Sequence, residues 1–301
     1  MKTIIIKITL AALGILTLFS GRTFAGASTK GKKLIEPADG TAHYAAVNGL
    51  KMYYVTAGKG TPVILLHGAL STIDKDFGKL IPVLAKEHRV IGIELQAHGH
   101  TADIERPITY EGMADDIVTL LKQLNISNAD FLGYSMGGGV ALQVAITHPQ
   151  LIRHLILAAT SYSPEGSNMA NPDKLKPKKV TDLDHSIWKK NYLKVAPDPS
   201  HWSKLVEKNY ALMGSWKGFQ PAEIKNLKSP VLLIFGDGDL STPEHEVSMF
   251  KLLGGGYWGD LYELPNEQLA ILPGTSHVTL VDQTELLIPM ITKFLQTPPI
   301  K

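Results

Sequence analysis

At 301 residues the chain is long enough for one large α/β domain or two small ones. Its 44% apolar and 19% charged content excludes the disordered and fibrous classes. The formal net charge is +2. Lys2, Lys7 and Arg22 supply three positive charges in a leader without acidic residues, so the rest carries −1. That balance leaves no electrostatic footprint for nucleic acid or an anionic membrane. With no cysteine, disulfides and a thiol-linked lipid are both excluded.

Residues 1–25 read as a secretory signal peptide. Lys2 and Lys7 form the basic start, Ile8 to Phe19 the apolar run, and Thr23-Phe24-Ala25 the small-residue cleavage site. The run is short for a membrane span of about 20 residues, so no stable anchor is expected. The expected location is periplasmic or secreted. Gly26 to Ala38 is a polar, Lys-rich tether.

Alternation then predicts strands His43–Val47 and Lys51–Thr56 around Asn48-Gly49, a strong hairpin signal. The apolar run 62–66 predicts a buried strand ending at His67-Gly68-Ala69-Leu70, followed by a helix over Thr72–Ala85 and a second buried strand at 90–93. Met113, Ile117, Leu120, Leu121 and Leu124 share one helical face, with Thr109 as N-cap. Strand Ala129–Leu132 leads through Gly133-Tyr134-Ser135-Met136-Gly137 into a helix beginning near Gly138. A serine caught between strand and helix sits on a tight, strained turn, its hydroxyl pushed out above free N–H groups of the helix start.

Further strands are expected at 151–158, 231–235 and 268–272, with a closing helix over Thr284–Leu295. Apolar strands alternating with helices predict a mostly parallel, doubly wound α/β sheet. Residues 161–228 break the rhythm and read as an inserted helical lid, with helices over Asp182–Lys194 and Ser200–Met213. The lid separates core segments 26–160 and 229–301. Trp188, Tyr192, Trp202, Trp216 and Phe219 are expected mostly to pack the lid, with one or two lining a pocket. The Lys174-Lys176-Lys178-Lys179 cluster reads as a solvated surface.

Three strand ends carry matching chemistry: Ser135, Gly236-Asp237-Gly238-Asp239, and Pro273-Gly274-Thr275-Ser276-His277. An imidazole takes a serine proton near neutral pH, and a carboxylate fixes its tautomer. Either aspartate suits that role by position. His98 and His100 with Asp103 lack a complete metal-ligand set.

With these residues in hand, nearly the whole chain after the leader resembles the α/β-hydrolase superfamily. His67-Gly68 resembles its oxyanion loop, and Glu94-Leu95-Gln96-Ala97-His98-Gly99-His100-Thr101 its Asp-x-Arg-Gly-His-Gly-x-Ser segment. Gly133 to Gly138 is similar to its nucleophile elbow, and Gly236 to Asp239 to its acid loop. Glu94, Gln96 and Ala97 depart from the family pattern, which puts local loop interactions in question but leaves the triad intact. The resemblance implies Ser135 as nucleophile, His277 as base and Asp239, the second aspartate, as acid. It implies an oxyanion hole from the N–H of Met136 and a donor in the His67-Gly68 loop, Ala69 or alternatively Leu70. His67 itself is expected to shape that loop. Relatives with an aspartate nucleophile, dehalogenases and epoxide hydrolases, differ at the position of Ser135.

The expected activity is cleavage of a small to medium carboxylic ester through an acyl-enzyme, on a small-molecule substrate with an acyl group. No metal or organic cofactor is called for. Amide, carbon–carbon bond or peroxyacid chemistry on the same triad is the alternative, and a non-catalytic small-molecule binder a third reading.

Overall fold

Strands β1 (Thr41–Val47) and β2 (Leu50–Ala57) pair antiparallel, with Val47 opposite Leu50. Asn48 (φ 46°) and Gly49 (φ 87°) both take the left-handed backbone that a two-residue turn between twisted strands requires. The computed structural model describes residues 40–168, 179–262 and 264–298, all within the unit Glu36–Lys301. The expected signal peptide, the tether, and Lys174, Lys176 and Lys178 lie outside the described residues.

After the hairpin come β3 (Thr61–Leu66), α1 (Ile73–Phe77), α2 (Ile81–Leu84), β4 (His88–Ile93), α3 (Tyr110–Gln123), β5 (Ala129–Tyr134), α4 (Met136–Thr147) and β6 (Ile152–Ala158). The insertion carries α5 (Ile187–Val195), α6 (Trp202–Ser215) and α7 (Pro221–Lys225). The chain closes with β7 (Val231–Gly238), α8 (Pro243–Leu252), β8 (Gln268–Ser276) and α9 (Thr284–Leu295). The sheet order is β1-β2-β4-β3-β5-β6-β7-β8. The first two strands run antiparallel to their neighbours, and every pair from β4 to β8 is parallel.

Successive residues of a strand face opposite sides, and here both sides are apolar. On β3, Ile64 and Leu66 pack with Met113, Ile117, Val140 and Val144 of α3 and α4. Val63 and Leu65 pack with Phe77, Ile81, Leu287 and Ile291 of α1, α2 and α9. Each such side chain taken from water contributes about 1.5–3 kcal/mol, which is why the strands read as unbroken apolar runs.

The chain leaves β3 toward β4 on one side and returns to β5 on the other. Loops after β3 and β5 therefore diverge from a common point, and open α/β sheets bind ligands at such a switch point.

Three expected elements come out differently. The helix over 72–85 is two short helices, because Pro82 has no N–H to carry the ladder across from α1; the Gly78 N–H closes α1 on the Asp74 oxygen. The stretch 182–194 divides into a 3₁₀ turn (Val180–Leu183) and α5, which restarts where Ser186 Oγ accepts the Lys189 N–H. Strand β8 runs past Leu272 to Ser276, with a register shift opposite Gly236–Gly238; as an edge strand it tolerates Pro273. No helix among the described residues is long and apolar enough to cross a membrane.

Candidate active site

Ser135 is the cap residue between β5 and α4, at φ 53°, ψ −118°. An L-residue in this conformation is strained and persists only when its surroundings hold it. Its N–H donates to the Ala158 oxygen of the next strand (2.9 Å), and its own oxygen accepts from Gly139 N–H (3.1 Å). The flanking glycines are there for closeness: a Cβ on Gly133 would strike the backbone of Gly137 and Gly138, and one on Gly137 the end of β3.

Ser135 Oγ lies 2.9 Å from Nε2 of His277, and Nδ1 of His277 lies 2.7 Å from Oδ1 of Asp239. A carboxylate only accepts, so Nδ1 carries the ring proton and Nε2 presents its lone pair to the serine hydroxyl. Asp239 is 7% exposed, and its oxygens also accept the N–H groups of Leu240 (2.6 Å) and Gly236 (3.3 Å). Asp237 turns away and accepts the Gly274 and Thr275 N–H groups (2.9 and 3.0 Å), which hold its carboxyl below the usual range. Of the two aspartates left open by position, Asp239 meets the imidazole and Asp237 ties β7 to the loop of His277.

The loop after β3 places Ala69 on the same cavity wall as Ser135 and Met136. Met136 is the first residue of α4, so its N–H is one of those a helix leaves without an internal partner. His67 shapes the loop from below. Its Nε2 accepts the Leu95 N–H (3.1 Å), its Nδ1–H donates to the Gly68 oxygen (2.8 Å), and burial pushes its pKa down to about 3.

Two residues that position this site carry no motif. Tyr134 donates its hydroxyl to the His277 backbone oxygen (2.8 Å), pinning the loop that holds the imidazole. Asp76 accepts the Gly68 N–H (2.9 Å) and the Ser71 hydroxyl (2.6 Å), so one buried carboxyl braces both ends of the Ala69 turn. Burial raises the Asp76 pKa to about 6, above its value in an unfolded chain. The folded state then binds the proton more readily, and ionised Asp76 lowers stability as pH rises through roughly 4 to 6. An amide keeps both contacts: its oxygen accepts from Gly68 and its nitrogen donates to Ser71 Oγ. Asp76→Ala is therefore expected to lower kcat by about 10–100-fold through a displaced Ala69 N–H, whereas Asp76→Asn stays within a few-fold of wild type. Steady-state kinetics on both variants check this, and equal losses would rule out the bracing role.

Near Asp239 sits a second carboxyl. Glu246 on α8 is fully buried, and neither of its oxygens has a partner among the described residues. Burial first, then the charge of Asp239, push its pKa up to about 8. At neutral pH it is protonated and adds no charge beside the imidazole.

The motif departures have local partners. Glu94 accepts the His100 N–H (2.5 Å) and meets His100 Nδ1 (2.9 Å). Gln96 bridges Asp103 and Arg106. His98 Nδ1–H donates to the Gln96 oxygen (2.8 Å), and no metal-holding cluster occurs among the described residues.

The cavity over Ser135 encloses about 450 Å³, a volume suited to a small or medium ligand. Its apolar wall includes Tyr110, Leu212, Met213 and Trp216; Trp216 alone of the five insertion aromatics lines it. Tyr192, Trp202 and Phe219 are buried in packing, and Trp188 packs partly buried against the core. Lys208 of α6 donates to Asp103 Oδ1 and to the oxygens of Ile104 and Arg106 (2.7, 2.8 and 2.8 Å), fastening this helix to the core.

A family model described as the alpha/beta hydrolase fold matches residues 61–196. A soluble epoxide hydrolase of Corynebacterium sp. (strain C12) is 35% identical over 120 residues, 39% of this chain and 41% of that relative's length. The 2-hydroxy-6-oxo-6-(2'-aminophenyl)hexa-2,4-dienoic acid hydrolase of Metapseudomonas resinovorans is 22% identical over 260 residues, covering 80% of this chain and 86% of its own. Among solved structures, the enol-lactonase of Burkholderia xenovorans LB400 superposes with a TM-score of 0.64 at 20% identity, over 85% of this chain and 100% of its own. With the same sheet, a family match over residues 61–196 and similarity to hydrolases along most of its length, the chain has the α/β-hydrolase fold.

Proposed function

We propose that this chain is a serine hydrolase of the α/β-hydrolase superfamily that cleaves a neutral carboxylic ester of small to medium size through an acyl-enzyme. The observation that carries the reading is the hydrogen-bonded chain from Ser135 Oγ through His277 to Asp239 at the wall of a largely apolar cavity. Ser135 Oγ attacks the ester carbonyl while His277 Nε2 takes its proton. The oxygen of the tetrahedral intermediate draws on the N–H groups of Met136 and Ala69. The intermediate collapses, the C–O bond breaks, and His277 returns the proton to the leaving alcohol. Water, deprotonated by the same imidazole, then releases the acid and restores Ser135. Asp239 holds the tautomer and stabilises the imidazolium. The insertion acts as the lid that shapes the acyl or alcohol pocket.

Carbon–carbon bond hydrolysis is the second reading, favoured by the 260-residue match to a dienoic acid hydrolase. A substrate of that kind carries a carboxylate. The described residues lining the cavity include no lysine or arginine to receive one, and a buried unpaired carboxylate is costly. This favours the neutral ester. Ser135 at the elbow likewise argues against the ester intermediate on an aspartate that the family's epoxide hydrolases employ.

Export rests on the leader formed by Lys2, Lys7, Ile8–Phe19 and Thr23-Phe24-Ala25. Intact-mass spectrometry of the exported enzyme during turnover reads both proposals. The expected result is a chain starting after Ala25 that gains one acyl group from a neutral nitrophenyl ester, with slower turnover of the matching anilide and of a carboxylated vinylogous diketone. An intact Met1 in the exported fraction overturns the first proposal, and preferred cleavage of the diketone overturns the second.

A further inference from the structure

Asn209 on α6 is 2% exposed and lines the cavity that holds Ser135. Its amide orientation follows from two neighbours that can only accept. The Leu205 carbonyl oxygen, one turn back, lies 2.9 Å from Nδ2. His98 Nε2 lies 3.4 Å from the same nitrogen. Because His98 Nδ1 points at the Gln96 carbonyl oxygen, that nitrogen carries the ring proton, and a neutral imidazole then offers only a lone pair at Nε2. Complete burial keeps the ring neutral, its pKa pushed down to about 4. Both hydrogens of the Asn209 amide are thus committed, and Oδ1 is left over.

Oδ1 has no hydrogen-bond partner among the described residues. It also differs from Ser241 Oγ and the Glu246 oxygens, which are sealed in protein. It borders open space, and in a side chain this buried the open space is the cavity. Buried amide oxygens are nearly always satisfied. An oriented acceptor held open at a cavity wall is satisfied when something brings it a donor.

We propose that Asn209 Oδ1 is a substrate-recognition acceptor, and that the preferred substrates carry a neutral hydrogen-bond donor, a hydroxyl or an amide N–H, on the group seated against α6. The charge class follows from the surroundings. Tyr110, Leu212, Met213 and Trp216 make that wall apolar, and Asp239, the carboxylate among the described lining residues, is engaged with His277. Among the described residues an ammonium there meets no free counter-charge. The proposal deepens the ester-hydrolase reading, on which it rests for its chemistry, but its test does not require turnover.

The probes are nitrophenyl hexanoates with a hydroxyl at C3, C4, C5 or C6, each beside its methoxy counterpart and the unsubstituted ester. Affinity is measured on Ser135→Ala by competition, and kcat/KM on the wild type. At one chain position the hydroxyl ester is expected to bind about 10-fold tighter than both controls, a preference that falls within two-fold when Asn209→Leu is added. No preference at any position, or a preference that survives Asn209→Leu, overturns the proposal. Should Asn209→Leu not fold, the hydroxyl, methoxy and unsubstituted comparison on the Asn209-containing proteins decides alone. Selective binding without wild-type turnover keeps the subsite and refutes the ester-hydrolase reading; turnover without selectivity does the reverse.

Discussion

Ser135→Ala is expected to lower kcat on an activated neutral ester by roughly 10⁴–10⁶-fold, with fluorophosphonate labelling abolished. The magnitude follows because, among the described residues, no hydroxyl other than that of Ser135 is bonded to the His277 ring. Thr160 and Ser161 also place hydroxyls on the cavity, but Thr160 Oγ1 donates to the Ala158 oxygen (3.0 Å) and Ser161 Oγ to the Ser163 oxygen (2.6 Å). Neither is bonded to His277. Ser161 Oγ does lie 2.8 Å from His245 Nε2, yet with its own proton given to Ser163 it can only accept from that ring. It serves as a brace for the strand-to-lid turn. The alanine keeps the backbone strain that serine already bears at φ 53°, so stability is expected to change by under about 1 kcal/mol. The oxyanion donors and the cavity remain in the variant, which leaves a residual rate above that of water. A variant within ten-fold of wild type, still labelled, would remove Ser135 as nucleophile.

The features that were legible from the sequence are those written by local chemistry. A β-strand buried on both faces is apolar at most positions, so β3, β5, β6 and β7 announce themselves. The Gly133–Gly137 pattern marks a turn that only small flanking residues allow. The order of Ser135, Asp239 and His277 then follows from strand ends on one rim of the sheet. Asp76, Tyr134 and Asn209 carry no such mark. Tyr134 reaches the oxygen of a residue 143 positions away, and Asn209 meets a ring 111 positions away. Nothing in a tyrosine beside a serine, or an asparagine mid-helix, distinguishes these from packing until the sheet has brought the segments together. Asp76 spans only eight positions to Gly68, but no motif marks it. Asp76 lies on the face of α1 that also buries Ile73 and Phe77, and an acidic side chain on an apolar face does not show in the sequence which backbone N–H it will meet.

The aspartates of the acid loop are separable by one pair of variants. Asp239→Asn is expected to lower kcat by about 10²–10⁴-fold at neutral pH, and Asp237→Asn by less than ten-fold, each with a modest change in KM. At position 239, three donors converge: His277 Nδ1–H and the Leu240 N–H on Oδ1, and the Gly236 N–H on Oδ2. An asparagine therefore sets its oxygen toward His277 and Leu240 and its nitrogen toward Gly236, the longest of the three contacts. That orientation preserves the imidazole tautomer, so the loss arises chiefly from the missing negative charge opposite the imidazolium formed in the transition state. The charge of Glu246 cannot replace it at neutral pH, since burial keeps that carboxyl protonated; its pKa of about 8 includes a push from Asp239 that the variant removes. At position 237, the amide oxygen keeps one of the two N–H groups of Gly274 and Thr275, loosening the β8 loop without touching the proton path. Steady-state kinetics from pH 6 to 9 on both variants distinguish the roles. A larger loss of kcat in Asp237→Asn than in Asp239→Asn would transfer the acid role to Asp237 and undo the assignment made from the 2.7 Å contact with His277.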